Sequence, residues 1–251
     1  MIEWLWKIIR SSENVHTANE NIRSVRTGYS KEREHLHMQI VKKLTFPCAT
    51  SNQPIAILIG GGTATGKTKM RKTLIMKEIK KFPDEFCIVD ADEIKAEIPE
   101  YDMYLKSDKA NAASLVHKES TDIRDKALDV LINNKCCFIY EGTMAKKYNY
   151  SVLISKLRNQ NYSIEVWISD ITVEVAIARA KKREKMTGRR VPSSVIRNTH
   201  KLVSRTFQSI KSLVDEYYIF NNDAGFRLIY SKHYINKKEY ELFCEKALSR
   251  E

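Results

Sequence analysis

Apolar residues gather into short, nearly unbroken runs along this chain: Pro54–Ile59, Phe86–Val89, Cys136–Tyr140, Ser163–Ile168 and Glu216–Phe220. Runs of this length, without polar alternation, predict strands buried on both faces, as in a parallel sheet. Between them apolar positions recur every three or four residues, the spacing of one helix face. In the N-terminal stretch Ser30 reads as an N-cap, Leu36, Ile40, Val41 and Leu44 follow at helical spacing, and Phe46-Pro47 ends the element. One long helix is predicted from about Ser107 to Asn134, with Ala112, Ala113, Val116, Ile123, Ala127, Val130 and Leu131 on its core face. Thr172 is placed to cap a helix carrying Val173, Ala176, Ile177 and Ala180, which Gly188 closes. Another helix starts at Ser193 or Ser194, just after Pro192. Asn221–Gly225 turns the chain into a further apolar run, Phe226–Tyr230, and a last helix begins near Lys237.

Strands alternating with helices predict an α/β protein with a mostly parallel sheet flanked by helices. The division expected is an N-terminal helical extension over residues 1–50 and one domain over 51–251. A chain of 251 residues that is 43% hydrophobic and 29% charged fits a globular protein, and its eight glycines and five prolines leave little room for long flexible linkers. No apolar run approaches the roughly 20 residues that span a bilayer, so no membrane partner is expected. Met1–Arg10 carries Glu3 where a signal peptide would be basic and reads as a surface helix, which points to a cytoplasmic protein.

The net charge of +12 raises the question of nucleic acid. The basic residues are spread along the chain without an RNA- or DNA-binding signature, so a basic surface with a site for phosphorylated substrates is the expected meaning. Cys48, Cys87, Cys136, Cys137 and Cys244 form no CxxC pair and are expected to be reduced and structural. His35, His37, His117 and His200 offer no metal set.

The chemistry is concentrated in a few places. Gly61-Gly62-Thr63-Ala64-Thr65-Gly66-Lys67-Thr68 is a full Walker A phosphate loop between a buried strand and a helix, the context that gives it meaning. Its backbone amides are expected to cradle the phosphates of ATP, with Lys67 reaching the β- and γ-phosphates and the Thr68 hydroxyl on Mg²⁺. The reading is therefore a P-loop NTPase fold and an ATP-dependent kinase. Asp90 and Asp92 lie at the carboxyl end of the second strand, where α/β sheets bind ligands. One of them can cap the following helix, and Asp92 is the expected base for a substrate hydroxyl. Glu141 ends the third strand ahead of Gly142-Thr143 and could serve Mg²⁺, a substrate or an ion pair. Arg179 and Arg183, with Arg189-Arg190, fit either a lid over ATP or a solvated basic helix.

These pieces in this order resemble the zeta toxin family, P-loop kinases of UDP-N-acetylglucosamine. The resemblance rests on Tyr29, Arg33, Leu36 and His37, the phosphate loop, Val89-Asp90-Ala91-Asp92-Glu93-Ile94-Lys95, Glu141-Gly142-Thr143, Ile177-Ala178-Arg179 and Gly188-Arg189-Arg190-Val191-Pro192. It implies that Lys67 binds the ATP phosphates, that Asp92 deprotonates the sugar 3′-hydroxyl, and that Glu141, with Thr143, belongs to the substrate pocket. It also implies phosphate contacts from Arg179 and Arg189, and a protein antitoxin as partner. An acidic substrate contact on the long helix falls at Asp125 or Glu119 and stays unassigned. Other hydroxyl acceptors (a dinucleotide, an antibiotic, a polynucleotide end) and a nucleotide switch without transfer remain open.

Overall fold

The computed structural model describes residues 28–46, 48–82, 85–187 and 191–248. Contacts divide the chain into two units, 1–36 and 37–251. The first 27 residues, with the Met1–Arg10 segment, lie outside the described residues. Helix α1 (Lys31–Thr45) begins as the sequence predicts, the Arg33 amide donating to the Ser30 hydroxyl.

Each predicted apolar run becomes a strand: β1 (Ile55–Gly60), β2 (Cys87–Asp90), β3 (Phe138–Glu141), β4 (Ser163–Asp170), β5 (Glu216–Asn221) and β6 (Arg227–Ser231), followed by a short β7 (Tyr234–Ile235). They form one seven-stranded sheet in the order β2-β3-β1-β4-β5-β6-β7. The first five in that order run parallel, and β6 and β7 are antiparallel. Ile57 pairs with Ile139 on one side and Glu165 on the other, and β1 is the middle one of the five parallel strands.

Both faces of β1 are covered, which is why its sequence shows no alternation. Leu58, Phe138, Ile164 and Val166 enter a core with Ile154 of α7 (Lys147–Asn159) and Val203, Phe207 and Ile210 of α9 (Ser193–Ile210). On the other face Ile57, Ile59 and Trp167 pack with Met70 and Ile75 of the helix after the phosphate loop. That helix, α2, runs through Lys67–Met70, a π-helical turn at Arg71–Ile75 and Met76–Glu78. Helix α8 (Val173–Thr187) precedes α9, and α10 (Lys237–Glu245) starts where predicted.

Two expectations are corrected. The stretch expected as one helix from Ser107 to Asn134 is two, α5 (Ala112–Leu115) and α6 (His117–Asn133), preceded by α3 (Ala91–Ile94) and α4 (Pro99–Ser107). Val116 leaves helical geometry with ψ 6°, so the stripe from Ala112 to Leu131 is carried across a break that apolar spacing alone cannot reveal. The cysteines are not all reduced: Cys48 and Cys87 are disulfide-bonded, with Cα atoms 5.9 Å apart. They are 39 residues apart in sequence and meet only because β2 is laid beside the segment leading to β1, whose Thr50 bridges Cys136. Thr172 stands just before Val173 as expected, its carbonyl accepting from the Ala176 amide at 3.0 Å, while its hydroxyl lies on the Asp223 carboxylate at 3.3 Å.

Candidate active site

The phosphate loop leaves β1, the middle of the five parallel strands, and bends through three left-handed positions, Gly61 (φ 150°), Ala64 (φ 64°) and Gly66 (φ 90°). At Gly66 a Cβ would lie 2.7 Å from the Asn222 amide nitrogen, so glycine is required there for space as well as for its φ. Several of the loop's carbonyls are held. Thr65 O accepts from Ser169 Oγ and from Asn222 Nδ2, both at 2.8 Å. Lys67 Nζ donates to the Gly61 and Gly62 carbonyls at 2.9 and 3.1 Å. A glycine-rich loop that opens a helix at its N-terminus is an arrangement that binds anions. Burial pushes the Lys67 ammonium down, against the pull of Glu141, Asp92 and Asp90; Arg183 adds a smaller push in the same direction as burial.

Thr68 Oγ1 donates to Glu141 Oε1 at 2.6 Å. The other oxygen of Glu141 accepts from Arg71 Nε at 2.8 Å, and Arg71 Nη2 reaches Glu93 at 2.5 Å and Asp90 at 3.8 Å. Arg71 is 3% exposed, so the π-helical turn places one buried guanidinium among three acids at the ends of β2 and β3. Glu141 is thus an ion-pair partner that also touches the Walker A threonine. A hydroxyl beside a carboxylate is a hard oxygen set of the kind Mg²⁺ takes, and the amide-lined loop fits a triphosphate, so the residues present suit Mg²⁺ and ATP.

The two aspartates have separate tasks. Asp90 is the N-cap of α3, its Oδ1 accepting from the Asp92 amide at 2.8 Å. Burial pushes its carboxyl up to about 6, with the charge of Glu141 adding to the effect. Asp92 has a side chain 61% exposed and receives Lys95 Nζ, itself 3% exposed, at 2.7 Å. Partial burial holds His117 below its ordinary value, and the nearby positive charges of Lys95, Arg124 and Lys146 push the same way against Asp92. Arg124 lies over the Tyr140 ring at 5.6 Å and pairs with Asp125. Glu119, the other acid considered on the long helix, instead pairs with His37 at 2.6 Å.

Thr143 joins the loop through its backbone, its carbonyl accepting from the Gly61 amide at 3.4 Å, while its side chain is exposed. Arg179 Nη2 donates to the carbonyls of Asn222 and Asp223 at 2.7 and 3.0 Å, the turn whose Asn222 side chain also holds Thr65. Gly188, Arg189 and Arg190 lie outside the described residues. Arg71, Lys95, Ser169, Asn222 and His200 were not singled out as site residues from the sequence. Lys95 acts on Asp92 three residues away, whereas Arg71, Ser169, Asn222 and His200 act through contacts with residues far away along the chain.

The zeta toxin family model matches residues 39–233, which span the phosphate loop, both strand-end acids and the arginine helix. The chain belongs to the zeta toxin family. Among solved structures, this family member is similar to a chain from the PezAT toxin–antitoxin system of Streptococcus pneumoniae (TM-score 0.69, 16% identity, 86% of this chain and 87% of that one). It is also similar to a chain of the AvrRxo1-ORF1:-ORF2 complex with ATP (TM-score 0.70, 18% identity, 89% and 75% covered). At these identities the likeness speaks to the fold. No curated protein matches the sequence. No helix among the described residues is long and apolar enough to cross a membrane.

Proposed function

We propose that this zeta toxin family protein transfers the γ-phosphate of ATP to a hydroxyl of a nucleotide sugar, with the 3′-hydroxyl of the amino sugar in UDP-N-acetylglucosamine as acceptor. The observation that carries the reading is the division of labour among the acids. Glu141 is tied to Thr68 and Arg71, whereas Asp92 stands outside that cluster with an exposed carboxylate. A nucleotide switch needs the first arrangement but has no use for the second.

In the reaction the acceptor oxygen attacks the γ-phosphorus, its proton passes to Asp92, and the bond to the β,γ-bridging oxygen breaks to release ADP. Mg²⁺, when bound, supplies charge neutralisation on the transferring phosphoryl group. Lys67 exchanges its loop carbonyls for phosphate oxygens, and Arg179 and Arg189 are the proposed guanidinium contacts. Glu141 and Thr143 line the acceptor side. Lys95 pairs with Asp92, and Arg124 and Lys146 act with it on the neighbouring His117; this positive charge suits an acceptor carrying a diphosphate. Because the pneumococcal neighbour comes from a toxin–antitoxin system, a protein antitoxin over the ATP site is the partner proposed here.

Incubation with γ-labelled ATP, Mg²⁺ and a panel of nucleotide sugars, dinucleotides and oligonucleotides tests this. Label should move to UDP-N-acetylglucosamine, and Asp92→Asn should lower the rate by about 10²–10⁴-fold with ATP binding retained. Transfer undiminished in Asp92→Asn would refute the mechanism, and label on another acceptor would replace the substrate.

A further inference from the structure

The phosphate loop is gripped at two points. Thr65 is held through its carbonyl by Ser169 at the end of β4 and by Asn222 after β5. Thr63 is held through both its backbone groups by α9: its carbonyl accepts from His200 Nε2 at 3.1 Å, and its amide donates to Thr199 Oγ1 at 3.2 Å. Between the two held residues stands Ala64 at φ 64°. A residue with a Cβ pays a steric penalty in that left-handed conformation and keeps it only where the surroundings over-determine it.

His200 is 2% exposed, and a Cβ on Gly62 would fall 2.3 Å from its Cδ2, so the ring fills the space behind the loop. A carbonyl can only accept, so Nε2 carries the proton of a neutral imidazole. Burial pushes His200 down to about 4, with Lys246 and Lys67 adding to the effect, and it is neutral at ordinary pH.

We propose that Thr199 and His200 are positioning residues for the nucleotide: by fixing Thr63 they hold Ala64 in its left-handed turn and keep the loop amides aimed at the phosphates. Neither touches a phosphate; both act through the loop. The inference rests only on the nucleotide-binding half of the proposed function and is indifferent to the acceptor. It has a signature that simple packing lacks. Glycine adopts the left-handed turn without a steric penalty, so Ala64→Gly should recover part of what is lost when the grip on Thr63 is weakened.

The test measures binding of a fluorescent N-methylanthraniloyl-ATP with Mg²⁺ to the full chain. His200→Ala should bind about tenfold more weakly and Thr199→Val, which keeps the shape of the side chain, about three- to tenfold. His200→Gln, which retains an N–H donor, should stay within about threefold of the parent. Ala64→Gly should recover at least about half of the loss, in log units, in the Thr199→Val background. Unchanged affinity in both Thr199→Val and His200→Ala overturns the proposal, as does equal loss in His200→Gln and His200→Ala, or no recovery with Ala64→Gly. Should His200→Ala fail to fold, Thr199→Val with and without Ala64→Gly decides alone. A parent protein that binds the nucleotide but phosphorylates no nucleotide sugar sinks the proposed acceptor without touching this inference. One that binds no nucleotide overturns both.

Discussion

The phosphate loop and the proposed acceptor half of the site are built from different materials. Around residues 61–68 the backbone is the ligand, and buried side chains from β4, α9 and the turn after β5 hold its carbonyls. Around Asp92 the working groups are side chains, partly exposed and set by charge: Lys95 on Asp92, Arg124 on Asp125, and His117 among the cations. A backbone cradle accepts whatever carries a triphosphate and is the same for any P-loop kinase. A ring of side chains is where one acceptor is told from another, because each position can change without unseating the loop.

The sharpest way to break this contrast is to remove charge from each half in turn. Lys67→Met should cut transfer by about 10³-fold and weaken nucleotide binding, since the lost ammonium serves the phosphates in both ground and transition states. Arg124→Gln should raise the KM for the nucleotide-sugar acceptor by about tenfold and leave ATP affinity unchanged, as steady-state kinetics with each substrate varied would reveal. An equal effect on both substrates would erase the distinction between the halves.

Asp90 sits where the halves join, and the smallest effect is expected there. Its folded-state pKa of about 6 lies above the ordinary carboxyl value of about 3.9. Between these values the unfolded chain has already lost the proton that the folded chain keeps, so stability falls as pH rises through the window, by at most about 3 kcal/mol. Asp90→Asn keeps an oxygen to accept the Asp92 amide and removes the titration. Relative to the parent, its urea midpoint should therefore rise between pH 4 and 6.5. Parallel curves for the two proteins would show that Asp90 does not titrate in this range.

What was legible in the sequence follows the same line. The strands were visible because apolar runs report burial directly, and the phosphate loop because its glycines and lysine must be adjacent in sequence to do their work. Asp90 and Glu141 could be singled out because they end apolar strands, where α/β sheets bind their ligands, and Asp92 because it follows two residues later; the roles given to Asp92 and Glu141 stay proposals. Asp90 and Asp92 could not be told apart by periodicity, since capping is decided by a side-chain rotamer. Arg71 was hidden because a basic residue one turn into a helix ordinarily faces solvent, and only the π-helical turn aims it at Glu141. His200 was hidden for a plainer reason: its partner Thr63 is 137 residues away.

The strand that carries Asp90 and leads to Asp92 has four residues and, among the described residues, only one neighbour in the sheet, whereas the strand that feeds the phosphate loop is flanked on both sides. Edge strands open locally at lower free-energy cost than central ones. In the proposed mechanism the proton-accepting side therefore hangs from the part of the sheet that can yield and re-form while the nucleotide cradle stays seated. The Cys48–Cys87 bond, at the first residue of that strand, sets how far the yielding can spread toward the strand's beginning. Accommodation of a second substrate and retention of the first are in this way assigned to different rows of the same sheet.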